Sequence, residues 1–123
     1  MVLFLILGLL IISCNQKARR IEAEKAYIAA VDAYEDGQFA ESLDLVRTAV
    51  TLDRNFYQAS FLEGKNLFFL EKQEEAERIF TSLVSKHPSY TEARLWQIRC
   101  LILKDDFATS QKLLDREDRK SVV

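Results

Sequence analysis

Apolar residues along most of the chain follow the spacing of α-helices. The clearest apolar stripe recurs at intervals of three and four residues and consists of Ala76, Ile79, Phe80, Leu83 and Val84. This spacing is typical of a helix with one apolar face. Pro88 lacks the N–H that would continue the hydrogen-bond ladder and disfavours helical backbone at the residue before it, so the helix is expected to end near Lys86.

A second apolar pattern precedes this stripe and predicts a helix from about Phe56 to Leu70. The polar residues 71–73 connect the two helices. Gly64 lies in the middle of the first helix, where glycine costs about 1 kcal/mol relative to alanine. We therefore expect a neighbouring helix to approach the backbone closely at Gly64.

The two-helix pattern recurs earlier in the chain, where positions 23–56 align with positions 57–90. It predicts helices over about Arg19–Glu35 and Phe39–Leu52, joined by a turn at residues 36–38. Gly37 fits the end of the first helix, because glycine adopts a left-handed backbone without strain.

A shortened copy of the pattern follows over positions 91–118. It predicts helices over Tyr90–Lys104 and from Phe107 to about Asp118, with residues 119–123 fraying at the end. The second of these helices repeats features of the first unit, since Phe107, Ser110 and Leu114 take the places of Phe39, Ser42 and Val46.

The repeating unit resembles the tetratricopeptide repeat, a helical pair with a 34-residue period. The match rests on Gly64, Leu67, Ala76, Phe80 and Pro88. The resemblance implies an all-α fold of antiparallel helix-turn-helix repeats in a short right-handed superhelix. Two full repeats would span residues 23–56 and 57–90, and a shortened third repeat would span residues 91–118. Arg54 departs from the family pattern where proline is expected, and Ile98 where glycine or alanine is expected.

The N-terminus carries an unbroken apolar run from Val2 to Ile12. This run is too short to span a bilayer as a helix but matches the apolar region of a signal peptide. The following Ser13 and Cys14 resemble the lipobox of bacterial lipoproteins. The resemblance implies a signal peptide over residues 1–13, a lipidated Cys14 and a short tether over residues 14–22. The alternative is an uncleaved apolar anchor with Cys14 as an incidental thiol.

Composition limits the remaining functional classes. The chain has 123 residues, of which 49% are hydrophobic and 29% charged, as expected for one helix-rich domain. A net charge of −2 gives no electrostatic reason to expect nucleic acid as a partner. The sequence shows no motif typical of catalysis, cofactor binding or metal binding, and we expect none of these functions. His87 is interpreted as a turn residue and Cys100 as a buried structural thiol.

The resemblance also implies a concave groove lined by the first helix of each repeat. Carried through the register, it predicts a partner-binding groove lined by aromatic residues and two cations, namely Tyr27, Tyr34, Phe61, Lys65, Phe68 and Arg99. Aromatic side chains are effective anchors of interfaces. The alternative is that most of these aromatic residues belong to the core.

Together these patterns predict a lipid-anchored adaptor of the bacterial cell envelope, facing the periplasm or the cell exterior. Its expected partner is an envelope protein or peptide segment, bound in the groove, and its membrane contact is the lipid. Two alternatives remain open at this stage. One is an envelope carrier of a small apolar ligand, and the other is a structural subunit completed by another chain, for example as a homodimer.

Overall fold

The computed structural model describes the backbone of residues 1–121, with the side chains described through residue 108 and at 111, 112, 115 and 119 thereafter. Its described part consists of five α-helices, which confirms the predicted all-α class. The helices are α1 (Val2–Glu35), α2 (Phe39–Leu52), α3 (Tyr57–Phe69), α4 (Gln73–Lys86) and α5 (Thr91–Ser121).

Each helix packs mainly on the helices next to it in sequence. α1 contacts α2, α2 contacts α3, α3 contacts α4 and α4 contacts α5, while smaller contacts join α1 to α3 and α3 to α5. Because the connections are short, successive helices run antiparallel. The helices α1, α3 and α5 therefore form one layer, and α2 and α4 pack against it.

The core runs along the interface between these two layers. Its buried members are mostly small aliphatic residues and include Ala30, Leu43, Val46, Ala49, Ala59, Leu62, Leu67, Ala76, Leu83, Ala93 and Cys100. Phe80 is the largest side chain that is fully buried. Cys100 is buried in this core, as the sequence predicted.

Gly64 brings α3 into close contact with α4, as the sequence predicted. A Cβ atom at this position would lie 2.7 Å from Cε1 and 2.8 Å from Cζ of Phe80. Real Cβ atoms do not approach ring atoms this closely, so the aromatic ring occupies the space that a side chain at position 64 would need.

The turns after α1 and α3 share one backbone geometry at equivalent positions of the predicted register. Gly37 has a φ of 74° and Glu71 a φ of 61°. Their N–H groups donate to the carbonyls of Tyr34 and Phe68 at 3.0 and 3.1 Å. The predicted left-handed cap at Gly37 is thus confirmed, and the second turn adopts the same conformation with a residue that pays steric strain there.

Replacing Glu71 by glycine is expected to raise the free energy of unfolding by about 0.5–1 kcal/mol. Glycine removes the Cβ strain of the left-handed conformation, and this relief exceeds the entropy that glycine loses on folding. Urea denaturation followed by circular dichroism measures the change. The converse substitution Gly37→Ala should lower the free energy of unfolding by about 1 kcal/mol. If both substitutions changed the free energy of unfolding in the same direction, the strain assigned to Glu71 would be contradicted.

The first helix begins much earlier than the sequence analysis predicted. α1 starts at Val2 rather than near Arg19, so residues 14–22, which were predicted as a short tether running into the first helix, are helical. The reason is local, because no glycine or proline interrupts residues 9–36 and the stretch around Ala18 is rich in helix formers.

The third unit is a single helix, and the predicted helix pair over residues 91–118 is wrong. α5 continues through Asp105 and Asp106 without a turn. Position 105 corresponds to Gly37 and Glu71 in the register, but the backbone at Asp105 stays helical. The tail prediction is also wrong for residues 119–121, which are helical, while residues 122–123 lie outside the described part of the chain.

The described chain contains one helix that is long and apolar enough to cross a membrane. α1 includes an 18-residue window with a mean hydropathy of 1.5, none of which is buried against the rest of the protein. Length and composition alone define this property, and a signal sequence near an N-terminus has the same features.

Candidate functional site

An aromatic cluster joins the layer of α1, α3 and α5 to the start of α2. We define it by six rings: Tyr34, Phe39, Phe61, Phe68, Phe69 and Trp96. Phe39 stacks on Phe69 with ring centroids 4.6 Å apart. Trp96 meets Phe68 edge-on at 5.1 Å and Phe69 at 5.9 Å. Such pairs contribute roughly 0.5–1.5 kcal/mol each beyond the area they bury, so the cluster helps to hold α1, α2, α3 and α5 together.

Lys65 lies at the centre of this cluster. Its Nζ is 4.2 Å from the ring centroid of Tyr34 and 5.7 Å from the centroids of both Phe61 and Trp96. The negative faces of aromatic rings attract a cation at these distances. The side chain is half-buried, and rings from three helices lie around its ammonium group.

Arg99 places a second cation at the edge of the cluster. Its Cζ lies 4.8 Å from the ring centroid of Trp96, and the residue is exposed. Planar guanidinium groups can stack on an aromatic face and still donate hydrogen bonds to a carboxylate. The cluster therefore combines an aromatic surface with two positive charges, one on the half-buried Lys65 and one on the exposed Arg99.

Five of the six predicted groove residues meet in this region: Tyr34, Phe61, Lys65, Phe68 and Arg99. Tyr27 lies further along the same layer, where its ring centroid is 4.9 Å from that of Phe56. Tyr90 links the two areas through Phe61, whose ring centroid is 5.1 Å away. The register thus places the six residues on one layer, with Tyr27 at its other end.

The aromatic residues of the cluster pack against the core and also form part of the protein surface. Tyr34, Phe61 and Phe68 are half-buried and pack against the core, which matches part of the alternative that they belong to it. Phe69 keeps 43% of its surface exposed. A ligand would therefore contact Phe69, Arg99 and the outer edges of the half-buried rings.

Trp96 is the residue that the sequence analysis missed. It contacts both cations, the cluster rings of Phe68 and Phe69 and the core ring of Phe80, although the register aligns it with the buried Leu62. It is the only tryptophan in the chain. That rarity, together with the frequency of tryptophan at binding hot spots, was the available signal.

Tyr90 is half-buried in the same layer. Burial raises the pKa of Tyr90 from 10.0 to about 12, with smaller contributions from Glu92, Tyr27 and Tyr57. Burial also raises the pKa of Tyr27. Both phenols therefore stay protonated and neutral at physiological pH.

The raised pKa of Tyr90 predicts a loss of stability in alkali. Between about pH 10 and pH 12 the unfolded chain releases the phenolic proton while the folded chain keeps it, so stability falls as the pH rises through this window. We expect the Tyr90→Phe variant to show a smaller decrease of the urea midpoint over the same range. Identical decreases in both proteins would contradict the assignment.

The cysteines occupy different environments. Cys14 is exposed on α1, whereas Cys100 is buried, and burial raises its pKa to about 11. A thiol with such a pKa is a poor nucleophile at neutral pH. Cys14 is the more accessible of the two for modification.

Within the described residues, no group of three or more His, Cys, Asp and Glu side chains is arranged to hold a metal ion. His87 packs beside Tyr57, with ring centroids 4.8 Å apart. Its place at the end of α4 agrees with the interpretation of a turn residue.

Comparison of the chain with protein-family models found no matching family. Comparison with curated proteins found no significant relative.

Proposed function

We propose that this protein is a lipid-anchored tetratricopeptide adaptor that binds a segment of a partner protein on its aromatic cluster. The observation that carries the proposal is the position of the Lys65 ammonium group, which lies 4.2–5.7 Å from the ring centroids of Tyr34, Phe61 and Trp96. A half-buried charge on a partly exposed aromatic surface is better suited to binding a partner than to stabilising the fold. Aliphatic side chains in the same place would stabilise the fold without the desolvation cost of the charge.

The recurrence of backbone geometry supports the tetratricopeptide arrangement. The N–H groups of Asp53 and His87 donate to the carbonyls of Ala49 and Leu83 at 2.9 and 2.8 Å, and both ends of this bond occupy equivalent positions in the repeat register. The turns at Gly37 and Glu71 are equivalent in the same register. In this arrangement α1, α3 and α5 are the groove-lining helices.

The chemistry of the surface specifies the class of partner. Phe69 and the outer ring edges favour apolar or aromatic side chains, while Lys65 and Arg99 favour carboxylates. The best fit is a short segment that carries both an aromatic anchor and one or two acidic residues. Such a segment would come from another protein of the cell envelope.

The anchor gives the proposed adaptor its location. A lipidated Cys14 would hold the protein at the surface of an envelope membrane, facing the periplasm or the cell exterior. Confinement raises the effective concentration of the cluster beside membrane partners, so a modest affinity suffices for binding. The exposure of Cys14 fits this role.

Metabolic labelling with a clickable fatty acid tests the anchor. We expect label on the wild-type protein and its complete loss in Cys14→Ala, because alanine removes the thiol of the residue that would carry the acyl chains. The variant Cys100→Ala is the matched control and should keep full label. Label that persists in Cys14→Ala would contradict the lipoprotein assignment and favour the uncleaved apolar anchor.

The two alternative functions remain predictions. A carrier of a small apolar ligand would use the same aromatic cluster, and copurified lipid would favour it. A structural subunit would need an exposed surface that a second chain covers, and the C-terminal half of α5 offers such a surface.

A further inference from the structure

α5 carries one apolar stripe that is longer than the helix packed against it. Residues spaced by three and four form this seam, which we define as Ala93, Trp96, Cys100, Leu103 and Phe107. The sequence continues the same spacing at Ser110 and Leu114. A heptad spacing of this kind is typical of helix pairs that pack along a continuous seam.

The seam is covered at one end and open at the other. Ala93 and Cys100 are buried in the core that α5 shares with α4. Leu103 is 41% exposed and Phe107 is 72% exposed, because α4 begins only at Gln73 and α5 extends past it. The open half is thus a direct continuation of an interface that already exists within the chain.

A groove lies where α5 leaves the body of the protein. It has a volume of about 830 Å³, and its walls are the seam residues Cys100, Leu103 and Phe107 on one side and the start of α4 on the other. A groove that is apolar along one wall and bordered by a helix start can accept a further helix lying beside α5.

The charges around this groove complement the end of α5 itself. Five acidic residues line it against three basic ones, namely Glu71, Glu74, Glu75, Glu77 and Asp106 against Lys72, Arg78 and Lys104. The last turns of α5 are instead slightly basic, with Lys112, Arg116, Arg119 and Lys120 against Asp115, Glu117 and Asp118. Opposite net charges favour contact between the two regions.

We propose that the open half of the seam binds the same half of α5 from a second copy of the chain, in an antiparallel pair. The chain cannot cover the groove with its own residues 107–121 in this conformation, because they continue α5 as one unbroken helix. An antiparallel pair centred near residue 110 places the basic end of each copy beside the acidic groove of the other. Such an interface is self-complementary, as two-fold symmetry requires.

The length of the free helix is sufficient for this contact. Residues 103–121 span about 28 Å at 1.5 Å per residue, and the seam spacing places three apolar residues along this length, namely Leu103, Phe107 and Leu114. The aromatic cluster stays outside this interface, because its seam residue Trp96 lies on the covered half and contacts α3 within its own chain. The dimer and the proposed partner-binding surface are therefore separable.

Cysteine crosslinking of the full chain in detergent tests the pair. In a background of Cys14→Ser and Cys100→Ala, the substitution Ser110→Cys places a thiol at the next position of the seam spacing, near the proposed two-fold axis. Lys112→Cys places the matched control thiol on the opposite side of the same helix. We expect an oxidant to form the disulfide-linked dimer at least tenfold faster for Ser110→Cys than for Lys112→Cys. Equal rates would overturn the proposal.

Sedimentation of the full chain in density-matched detergent gives an independent test. The wild type is expected to be a concentration-dependent dimer, and Phe107→Glu a monomer, because a carboxylate would be buried in the seam. Ile98→Glu adds the same charge on the other face of α5, where the side chain is 45% exposed, and should stay dimeric. Phe107 is exposed in the monomer, so its substitution should leave the helical content unchanged. A wild type that stays monomeric, or dissociation by Ile98→Glu alone, would overturn the assignment.

Discussion

Replacing Phe80 by alanine is expected to lower the free energy of unfolding by about 3–5 kcal/mol. The side chain is fully buried and links three parts of the fold, since its ring lies against Gly64, 5.8 Å from the centroid of Phe61 and 5.9 Å from that of Trp96. The loss is a large share of the roughly 5–15 kcal/mol that stabilises a domain. Urea denaturation followed by circular dichroism measures it.

The partner substitution Gly64→Ala provides the control for this mechanism. In the wild type, the new Cβ would overlap the ring of Phe80 and should cost about 1–3 kcal/mol. In the Phe80→Ala background the ring is gone, and Cγ2 of Ile79, 3.2 Å from the new Cβ, needs to shift by only a few tenths of an ångström toward the vacated space. The higher helix propensity of alanine should then stabilise the protein by up to about 1 kcal/mol. A change of the same sign in both backgrounds would show that the two residues are not coupled as described.

Replacing Lys65 by glutamate is expected to disrupt both the aromatic cluster and partner binding. The carboxylate would face the negative sides of Tyr34, Phe61 and Trp96, and the attraction of the cation would be lost. We expect stability to fall by about 1–2 kcal/mol and the emission of Trp96 to change. Capture of the partner should fall at least tenfold, as for the loss of an interface hot spot.

The conservative variants separate charge from packing at this position. Lys65→Arg keeps a cation over the rings and should retain most of the binding, whereas Lys65→Met keeps the apolar stem and should retain stability better than binding. Equal binding by Lys65→Glu and the wild type would contradict a role for Lys65 in recognition.

Much of the helical core follows from residues whose effects are local. Pro88 and Gly37 mark a helix end and a turn, and Gly64 predicted a close approach that the ring of Phe80 makes. Such signals act through backbone geometry within a few residues. The predicted bounds of α2, Phe39–Leu52, match the structure for this reason.

The start of the first helix and the end of the last helix were predicted less well, because no local helix-breaking residue marks where they lie. The stretch before Arg19 contains no helix-breaking residue after Gly8, so α1 continues through it. Asp105 does not adopt the left-handed conformation of Gly37 and Glu71, and α5 continues straight. A repeat register predicts where a turn should lie but does not force one.

The sequence predicted most of the residues of the candidate site but not the contacts among their side chains. The register brought Tyr34, Lys65 and Arg99 to one layer, but the contact of Lys65 with three rings depends on side-chain packing across α1, α3 and α5. Trp96 was missed because the register compared it with a core leucine. Tertiary contacts of this kind are not encoded in spacing alone.

Site-specific photo-crosslinking in the membranes of the native host tests the central claim most directly. A benzoylphenylalanine at Phe69 replaces a partly exposed ring of the cluster by another aromatic group, and one at the exposed Ser82 on α4 is the control. The account predicts one discrete protein adduct from position 69, none from position 82, and its loss when Lys65→Glu is added. Equal adducts from both positions, or none from position 69, would contradict an adaptor that binds its partner on the aromatic cluster, and lipid-sized adducts alone would establish a carrier instead.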